Sequence, residues 1–128
     1  MRLLLDTHAL IWAATLDDQL SIKAKKMVLD CNNELFLSVA SIWEMSIKAS
    51  VGKLILQQPL EQIINEQIQI NGLRIINIES AHALGVASLP WHHRDSFDRL
   101  LIAQSKIEKL PILGCDTAMD AYGISRIW

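Results

Sequence analysis

Short apolar runs alternate along the chain with longer stretches in which apolar residues recur at helical spacing. The apolar runs predict strands at residues 3–5, 34–39, 73–78 and 112–115, and residues 125–128 form a shorter fifth candidate. The stretches between them predict helices at residues 21–31, 41–50, 59–71, 80–87 and 96–109, with Ser21 as an N-cap and Pro59 in a first turn. Strands that alternate with helices are typical of a parallel sheet. We therefore expect an α/β fold with a central, mainly parallel sheet of four to five strands.

The length and composition favour one domain over residues 1–128 with a substantial core. The chain has 128 residues, 51% of them hydrophobic, and it contains four tryptophans. This content is enough for a core without disulfides and leaves apolar surface for a partner. Cys31 and Cys115 lack metal-binding spacing and are expected to be reduced, buried thiols in a cytoplasmic protein. No secretory leader and no apolar run of membrane-spanning length is found, so we expect no membrane contact.

The net charge gives weak guidance about a partner. The 12 basic and 14 acidic residues give a formal charge of −2, whereas nucleic-acid binders usually carry a basic surplus. A cluster of acids around a cation would nevertheless leave the remaining surface net basic. The position of the acids is therefore more informative than their number.

Four acidic residues fall where a parallel α/β sheet builds its sites. Asp6 ends the first predicted strand, and Asp116 follows the fourth. Glu44 lies on the helix after the second strand, and Asp98 begins the helix before the fourth. Sites in such folds lie beyond the carboxyl ends of the strands. We expect these four side chains to share one crevice.

Each acid also has an ordinary structural explanation. Asp6 and Asp116 can cap the helices that follow them, and Glu44 can pair with Lys48 one turn later. Capping does not explain, however, a glutamate on a helix whose other positions are mainly apolar. Carboxylates in one crevice repel each other unless a cation neutralises them, and an all-oxygen ligand set suits Mg²⁺ or Mn²⁺ better than zinc. Such ions activate water for attack on a phosphoryl group.

Two further polar residues are candidates for supporting the acids. Asp95 is predicted to be the N-cap of the helix that Asp98 begins, which leaves Asp98 free for a cation. Thr7, next to Asp6, is a candidate for a supporting contact. The candidate phosphate contacts, with a scattered solvated face as the alternative, are Lys48, Lys53, Arg94 and Arg99.

Histidines and tryptophans near the acids favour structural roles. His92 and His93 are expected to form a solvated loop pair, although contact with phosphate stays open. Trp43 and Trp91 are expected in the core or at an interface rather than as platforms for stacked bases. Neither pair adds a ligand to the predicted site.

Several stretches of the chain match a known family. They are residues 5–12 (LDTHALIW), residues 41–54 with Trp43-Glu44, Ile47-Lys48 and Gly52-Lys53-Leu54, residues 89–104 with the run HHRDSFDRLLIAQ, and Asp116 with Tyr122-Gly123. Through them the whole chain resembles PIN-domain toxins of the VapC type. Two positions depart from the pattern, because Ser96 stands where similar sequences often have Pro and Gly114 where many have Thr.

The resemblance implies a three-layer PIN fold and an endoribonuclease that cuts RNA phosphodiester bonds with a metal-activated water. It also implies a small antitoxin partner, and we further expect a homodimer. By motif position, the residues that match the family's acidic set, and would hold Mg²⁺ or Mn²⁺, are Asp6, Glu44, Asp98 and Asp116.

Other classes that use strand-end residues do not fit the chain. A receiver-like phosphoacceptor needs an acidic pair after the first strand, and a dinucleotide-binding domain needs GxGxxG there. Neither pattern is present. The alternative that remains is a non-catalytic RNA-binding or protein-interaction module on a PIN-like fold, and metal-dependent RNA cleavage would discriminate between the two.

Overall fold

A computed structural model describes all 128 residues and contains one sheet of five strands. The strands are β1 (Arg2–Leu5), β2 (Glu34–Ser38), β3 (Arg74–Ile76), β4 (Ile112–Leu113) and β5 (Arg126–Ile127). They lie in the order β3-β2-β1-β4-β5, and every neighbouring pair is parallel. The predicted parallel α/β sheet is confirmed.

Six α-helices connect the strands, and two short 3-10 helices follow α5 and β4. The α-helices are α1 (Thr7–Thr15), α2 (Ile22–Leu29), α3 (Val39–Ser50), α4 (Leu60–Asn71), α5 (Ser80–Gly85) and α6 (Ser96–Glu108). The 3-10 helices span Val86–Ser88 and Thr117–Tyr122. Ser21 caps α2 as predicted, since its hydroxyl accepts the N–H of Ala24 at 3.0 Å. Pro59 is the N-cap residue of α4 and so precedes the first turn.

Both faces of the sheet are covered, which makes three layers. Successive side chains of a strand point to opposite faces, and all three leucines of β1 are buried. Leu3 and Leu5 belong to a core that also contains residues of α1, α2, α3 and α4. Leu4 belongs to a second core with residues of α6 and of the 3-10 helix Thr117–Tyr122. After the exposed Arg2, the central strand is apolar because it contributes to both cores.

The strand order places a crevice beside β1. The chain runs outward from β1 to β2 and β3 on one side, and through β4 to β5 on the other. The carboxyl ends of β1 and β4 are neighbours, since the backbone N–H of Asp6 donates to the carbonyl of Leu113 at 3.0 Å. Open α/β sheets bind their ligands at such a switch point in strand order.

Some sequence-based expectations about burial are wrong. Cys31 is exposed and Cys115 is only partly buried, because each lies where the chain has left a regular element. Trp43 is 58% exposed and Trp91 is 79% exposed, which excludes the core for both and leaves an interface as the alternative. No helix has the length and apolar character needed to cross a membrane.

Candidate active site

Asp6 serves as a helix cap and also reaches the crevice. Its Oδ1 atom accepts the backbone N–H of Ala9 at 2.7 Å, so the capping explanation holds. Its Oδ2 atom lies over Gly114, where an added Cβ would be only 2.5 Å away. Burial raises the pKa of Asp6 against the effect of the Ala9 hydrogen bond, and the negative charges of Asp116 and Glu44 raise it further. Capping therefore does not exclude a role in the site.

Glu44 is a buried carboxylate held at both oxygens. Ser38 caps α3 by accepting the N–H of Ala40, and α3 brings Glu44 under the crevice. Thr7 donates its hydroxyl to Oε1 of Glu44 at 2.7 Å, and Nζ of Lys48 lies 2.7 Å from Oε2. The same hydrogen bond raises the pKa of Lys48. The expected ion pair exists, and Thr7 gives Glu44 a fixed orientation.

Asp95 and Asp98 have different positions at the start of α6. Oδ1 of Asp95 accepts the N–H of Asp98 at 3.0 Å, so Asp95 is the N-cap, as predicted. Asp98 lies in the first turn, where the helix dipole favours negative charge. Burial, followed by the charge of Asp95, nevertheless raises the pKa of Asp98 to about 7. The Asp98 carboxylate is therefore crowded by negative charge.

His93 joins Asp98 to Asp116 and was missed by the sequence analysis. Its Nε2 atom lies 3.1 Å from Oδ2 of Asp98 and 3.0 Å from Oδ2 of Asp116. The other oxygen of Asp116 caps the following 3-10 helix by accepting the N–H of Ala118. The solvated loop pair is therefore wrong for His93, whose partner lies 23 residues away in sequence. His92 is exposed, as expected, and its ring packs edge-on against Tyr122.

Arg99 holds the loop at residues 89–95 and does not face the crevice as a free cation. It is only 3% exposed. Its guanidinium stacks on Trp91 at 4.0 Å and donates to the hydroxyl of Tyr122 at 3.2 Å. It also donates to the backbone carbonyls of Val86, Leu89, Pro90 and His93. These contacts use its donors, so the phosphate contact expected for Arg99 is replaced by a structural role.

Three other basic candidates remain open to solvent. Lys53 and Arg94 are exposed, and the Lys48 side chain is 40% exposed beside Glu44. His82, by contrast, is buried away from this set, with Nε2 2.8 Å from Oε1 of Glu108. Of the four predicted phosphate contacts, Lys48, Lys53 and Arg94 therefore offer positive charge that a polyanion could reach.

The donor set fits a hard divalent cation. Nε2 of His93 and one oxygen each of Asp98 and Asp116 lie within 4.8 Å of one another. Burial is the main cause of the raised pKa values of Asp6 and Asp98, and the charges of neighbouring carboxylates raise both pKa values further. A divalent cation would supply compensating positive charge, and carboxylate oxygens are ligands that Mg²⁺ and Mn²⁺ prefer.

Comparison with protein families identifies the fold. A family model described as PIN domain matches residues 3–124, so the chain belongs to the PIN domain family. No curated protein sequence gives a significant match. The family assignment confirms the PIN fold that the sequence motifs implied.

Solved structures with the same fold agree with the resemblance to VapC-type proteins. VapBC2 from Rickettsia felis, solved with a DNA fragment from its promoter, is 13% identical in sequence to this chain. The TM-score is 0.73, and the match covers 99% of this chain and 98% of the VapBC2 chain. DNA-bound VapBC from Salmonella typhimurium is 12% identical, with a TM-score of 0.71 over 99% and 97%. FitAcB from Neisseria gonorrhoeae is 19% identical, with a TM-score of 0.66 over 98% and 96%. At these identities the likeness establishes the fold.

Proposed function

We propose that this PIN domain is a metal-dependent endoribonuclease and acts as the cytoplasmic toxin of a toxin–antitoxin pair. The observation that carries the proposal is the cluster of Asp98 and Asp116 within 4.8 Å of each other, with Asp6 and Glu44 near enough for the charges of these acids to raise the pKa values of Asp6 and Asp98. The four acids come from four separate segments of the chain and include two buried side chains. Fold stability alone does not favour such crowding of like charges.

The side chains of the crevice divide the work of such a site. Asp6, Asp98 and Asp116 would hold Mg²⁺ or Mn²⁺, with Glu44 beside them. A bound ion of this kind activates water and offsets the charge that develops on a phosphoryl group. Thr7 keeps Glu44 in one orientation, and the Ala9 N–H keeps Asp6 in another. Lys48, Lys53 and Arg94 would contact the phosphates of an RNA strand.

An exposed apolar groove supports the antitoxin part of the proposal. The groove lies between the end of α1, α2 and α4 and has a volume of about 440 Å³. Its large apolar side chains include Leu16, Ile22, Leu29 and Ile70, all of which are exposed. Contiguous exposed apolar surface commonly marks a protein-binding site. We propose that a short antitoxin segment covers the crevice, that the toxin itself is a homodimer, and that this groove is apolar surface covered by one of these two partners.

Cleavage of RNA by the purified full-length chain tests the enzymatic part. We expect structured RNA to be cut in Mg²⁺ or Mn²⁺ and to remain intact in excess chelator. Asp6→Asn should lower the rate by more than about 100-fold, the upper range for residues that only support a ligand. Glu61→Gln, at an exposed carboxylate of α4, is the matched control and should cleave like wild type.

Two outcomes would contradict the proposed enzyme. Equal cleavage in chelator would exclude the metal mechanism. RNA binding without cleavage in either ion would favour the non-catalytic module.

The growth of cells that express the chain tests the toxin and its partner. Expression of the chain alone should slow growth, and co-expression with the neighbouring short gene should restore normal growth. A chain that is harmless when expressed alone would count against a toxin.

A further inference from the structure

His93 directs one ring nitrogen at two of the candidate metal ligands. Nε2 lies 3.1 Å from Oδ2 of Asp98 and 3.0 Å from Oδ2 of Asp116. The His93 side chain is 18% exposed, and those of Asp98 and Asp116 are 24% and 38% exposed, so the contact is partly shielded from water. These distances alone leave two roles open, because Nε2 can donate a hydrogen or offer a lone pair to a cation.

The second ring nitrogen distinguishes these roles. The backbone N–H of Asp95 donates to Nδ1 of His93 at 3.1 Å, so Nδ1 must offer its lone pair. A neutral imidazole with a lone pair at Nδ1 carries its proton at Nε2. Binding of a cation through Nε2 would require the proton at Nδ1, where it would face the Asp95 N–H. Metal-binding histidines usually donate this second N–H to an acceptor instead.

The loop that carries His93 is fixed on both sides of the ring. The backbone N–H of His93 donates to the hydroxyl of Tyr122 at 2.7 Å. Arg99 donates to the carbonyl of Pro90 at 2.8 Å and to that of His93 at 3.4 Å. Because the backbone is anchored, the ring meets the two carboxylates in a defined orientation, and rotation of the side chain is the simplest way to remove it.

We propose that His93 is a placeholder for the cation: its Nε2–H holds the carboxylates of Asp98 and Asp116 together in the metal-free protein. When a cation binds these oxygens, the side chain turns away and keeps its proton. The inference rests on the proposed function, since it presupposes a cation at these carboxylates. Its basis is that the Nε2 proton and a cation both carry positive charge and compete for the same oxygens. His93 therefore stabilises the metal-free fold and weakens cation binding.

Calorimetric titration with Mn²⁺ distinguishes the placeholder from a ligand, because loss of a placeholder raises the affinity for Mn²⁺ and loss of a ligand lowers it. The titration is best done at about pH 8, above the pKa of about 7 for Asp98, so that this carboxylate is ionised. We expect His93→Ala to bind Mn²⁺ on the order of tenfold more tightly than wild type, because the metal-free state of the variant lacks a charge-assisted hydrogen bond that Mn²⁺ would otherwise have to replace. His92→Ala, at the adjacent exposed histidine, should bind like wild type. His93→Gln, which keeps an N–H donor, should lie between them.

Each other result of this titration contradicts a defined part of the account. Weaker binding by His93→Ala would make His93 a ligand, and equal binding would leave it a structural residue; both overturn the placeholder. Failure of wild type and both alanine variants to bind Mn²⁺ would overturn the proposed function together with this inference. Thermal unfolding adds a check, because the destabilisation of His93→Ala should shrink when Mn²⁺ is saturating. A purely structural role predicts the same destabilisation in both states.

The tautomer itself is measurable by two-bond ¹H–¹⁵N correlation spectra of the metal-free protein. We expect His93 to carry its proton at Nε2. His82 is an internal reference, because its Nδ1 also accepts a backbone N–H, that of Glu79 at 2.9 Å. Addition of diamagnetic Mg²⁺ should change the His93 signals and leave those of His82 in place. A proton at Nδ1 of His93 in the metal-free protein would overturn the placeholder.

Discussion

The two sides of the crevice are built differently. On the strand side, which consists of Asp6, Thr7, Glu44 and Lys48, the carboxylates are held by partners within or next to regular elements. On the loop side, which consists of His93, Asp95, Asp98 and Asp116, two carboxylates share one imidazole carried by the loop at residues 89–95. Both sides contain aspartates that also cap helices.

The difference shows which part of the site depends on a cation. On the strand side, Oδ1 of Asp6 and both oxygens of Glu44 have partners in the protein, so their positions follow from the fold. The loop side relies on one imidazole donor between two carboxylates, and Arg99 in turn anchors the loop. We infer that the strand side is preorganised, whereas the loop side is the part that rearranges when a cation binds. The predictions that follow test this contrast from the largest expected effect to the smallest.

Replacing Arg99 should affect the loop side and the stability of the whole fold. Arg99→Lys leaves the buried carbonyl of Leu89 and several partly buried carbonyls without a donor, because an ammonium cannot reproduce the guanidinium fork. We expect a loss on the order of 3 kcal/mol in the free energy of unfolding, measured by urea denaturation. Arg94→Lys, at an exposed neighbour, should change it by less than about 0.5 kcal/mol. Similar values for both variants would mean that Arg99 does not anchor the loop.

Gly114 tests the strand side without touching an acid. In Gly114→Ala the new Cβ would lie 2.5 Å from Oδ2 of Asp6 and 2.8 Å from its Cγ, so the carboxylate must move. We expect cleavage to fall about 100-fold, with a smaller effect on thermal stability. Gly85→Ala is the control, because its Cβ would meet the end of the Ile107 side chain at 3.1 Å and the Cβ of Ala103 at 3.7 Å, and no acid. Full activity in Gly114→Ala would show that the position of Asp6 is not critical.

Thr7 tests whether the orientation of Glu44 matters. Thr7→Val keeps the shape of the side chain and removes the donor to Oε1 of Glu44. A supporting contact of this kind is typically worth about 10- to 100-fold in metal affinity or activity, and we expect the lower end because Lys48 still holds Oε2. Thr7→Ser should restore most of the cleavage rate. If serine fails to rescue, packing of the methyl group rather than the hydrogen bond is responsible.

The pH dependence of metal-free stability should reveal the crowding at Asp98. Its pKa of about 7 in the folded protein lies above the ordinary value of 3.8, so the native state binds this proton more tightly than the unfolded state. The resulting stabilisation is complete below about pH 4 and is lost as the pH rises through 7. The unfolding free energy of wild type minus that of Asp98→Asn should therefore decrease as the pH rises from about 4 to above 7. A difference that is independent of pH would contradict the raised pKa.

The sequence predicts the strand side well because its signals are local. Asp6 directly follows the three buried leucines of β1, which places it at the edge of the sheet. The capping roles of Ser21 and Asp95 were also correct, since each depends on a residue three positions later. Helix α1 was less visible, because its sequence is apolar on most sides and shows no clear helical period.

The loop side was harder to predict because its contacts join distant segments. No spacing rule connects His93 to Asp116, or Arg99 to Tyr122, and each pair is 23 residues apart. From the sequence alone, an arginine in the first turns of a helix is indistinguishable from a surface cation. The same holds for Gly114: β4 was predicted to reach residue 115 but ends at Leu113, and Gly114 lies beneath the Asp6 carboxylate.

Anomalous diffraction from crystals grown with Mn²⁺ is the most direct test of the central claim. We predict an anomalous peak at the carboxylates of Asp6, Asp98 and Asp116, with the His93 ring turned away from it. Crystals of Asp6→Asn should lose most of this peak, and crystals of Glu61→Gln should keep it. An active protein whose crystals show no manganese at these carboxylates, or show it only elsewhere, would contradict the account.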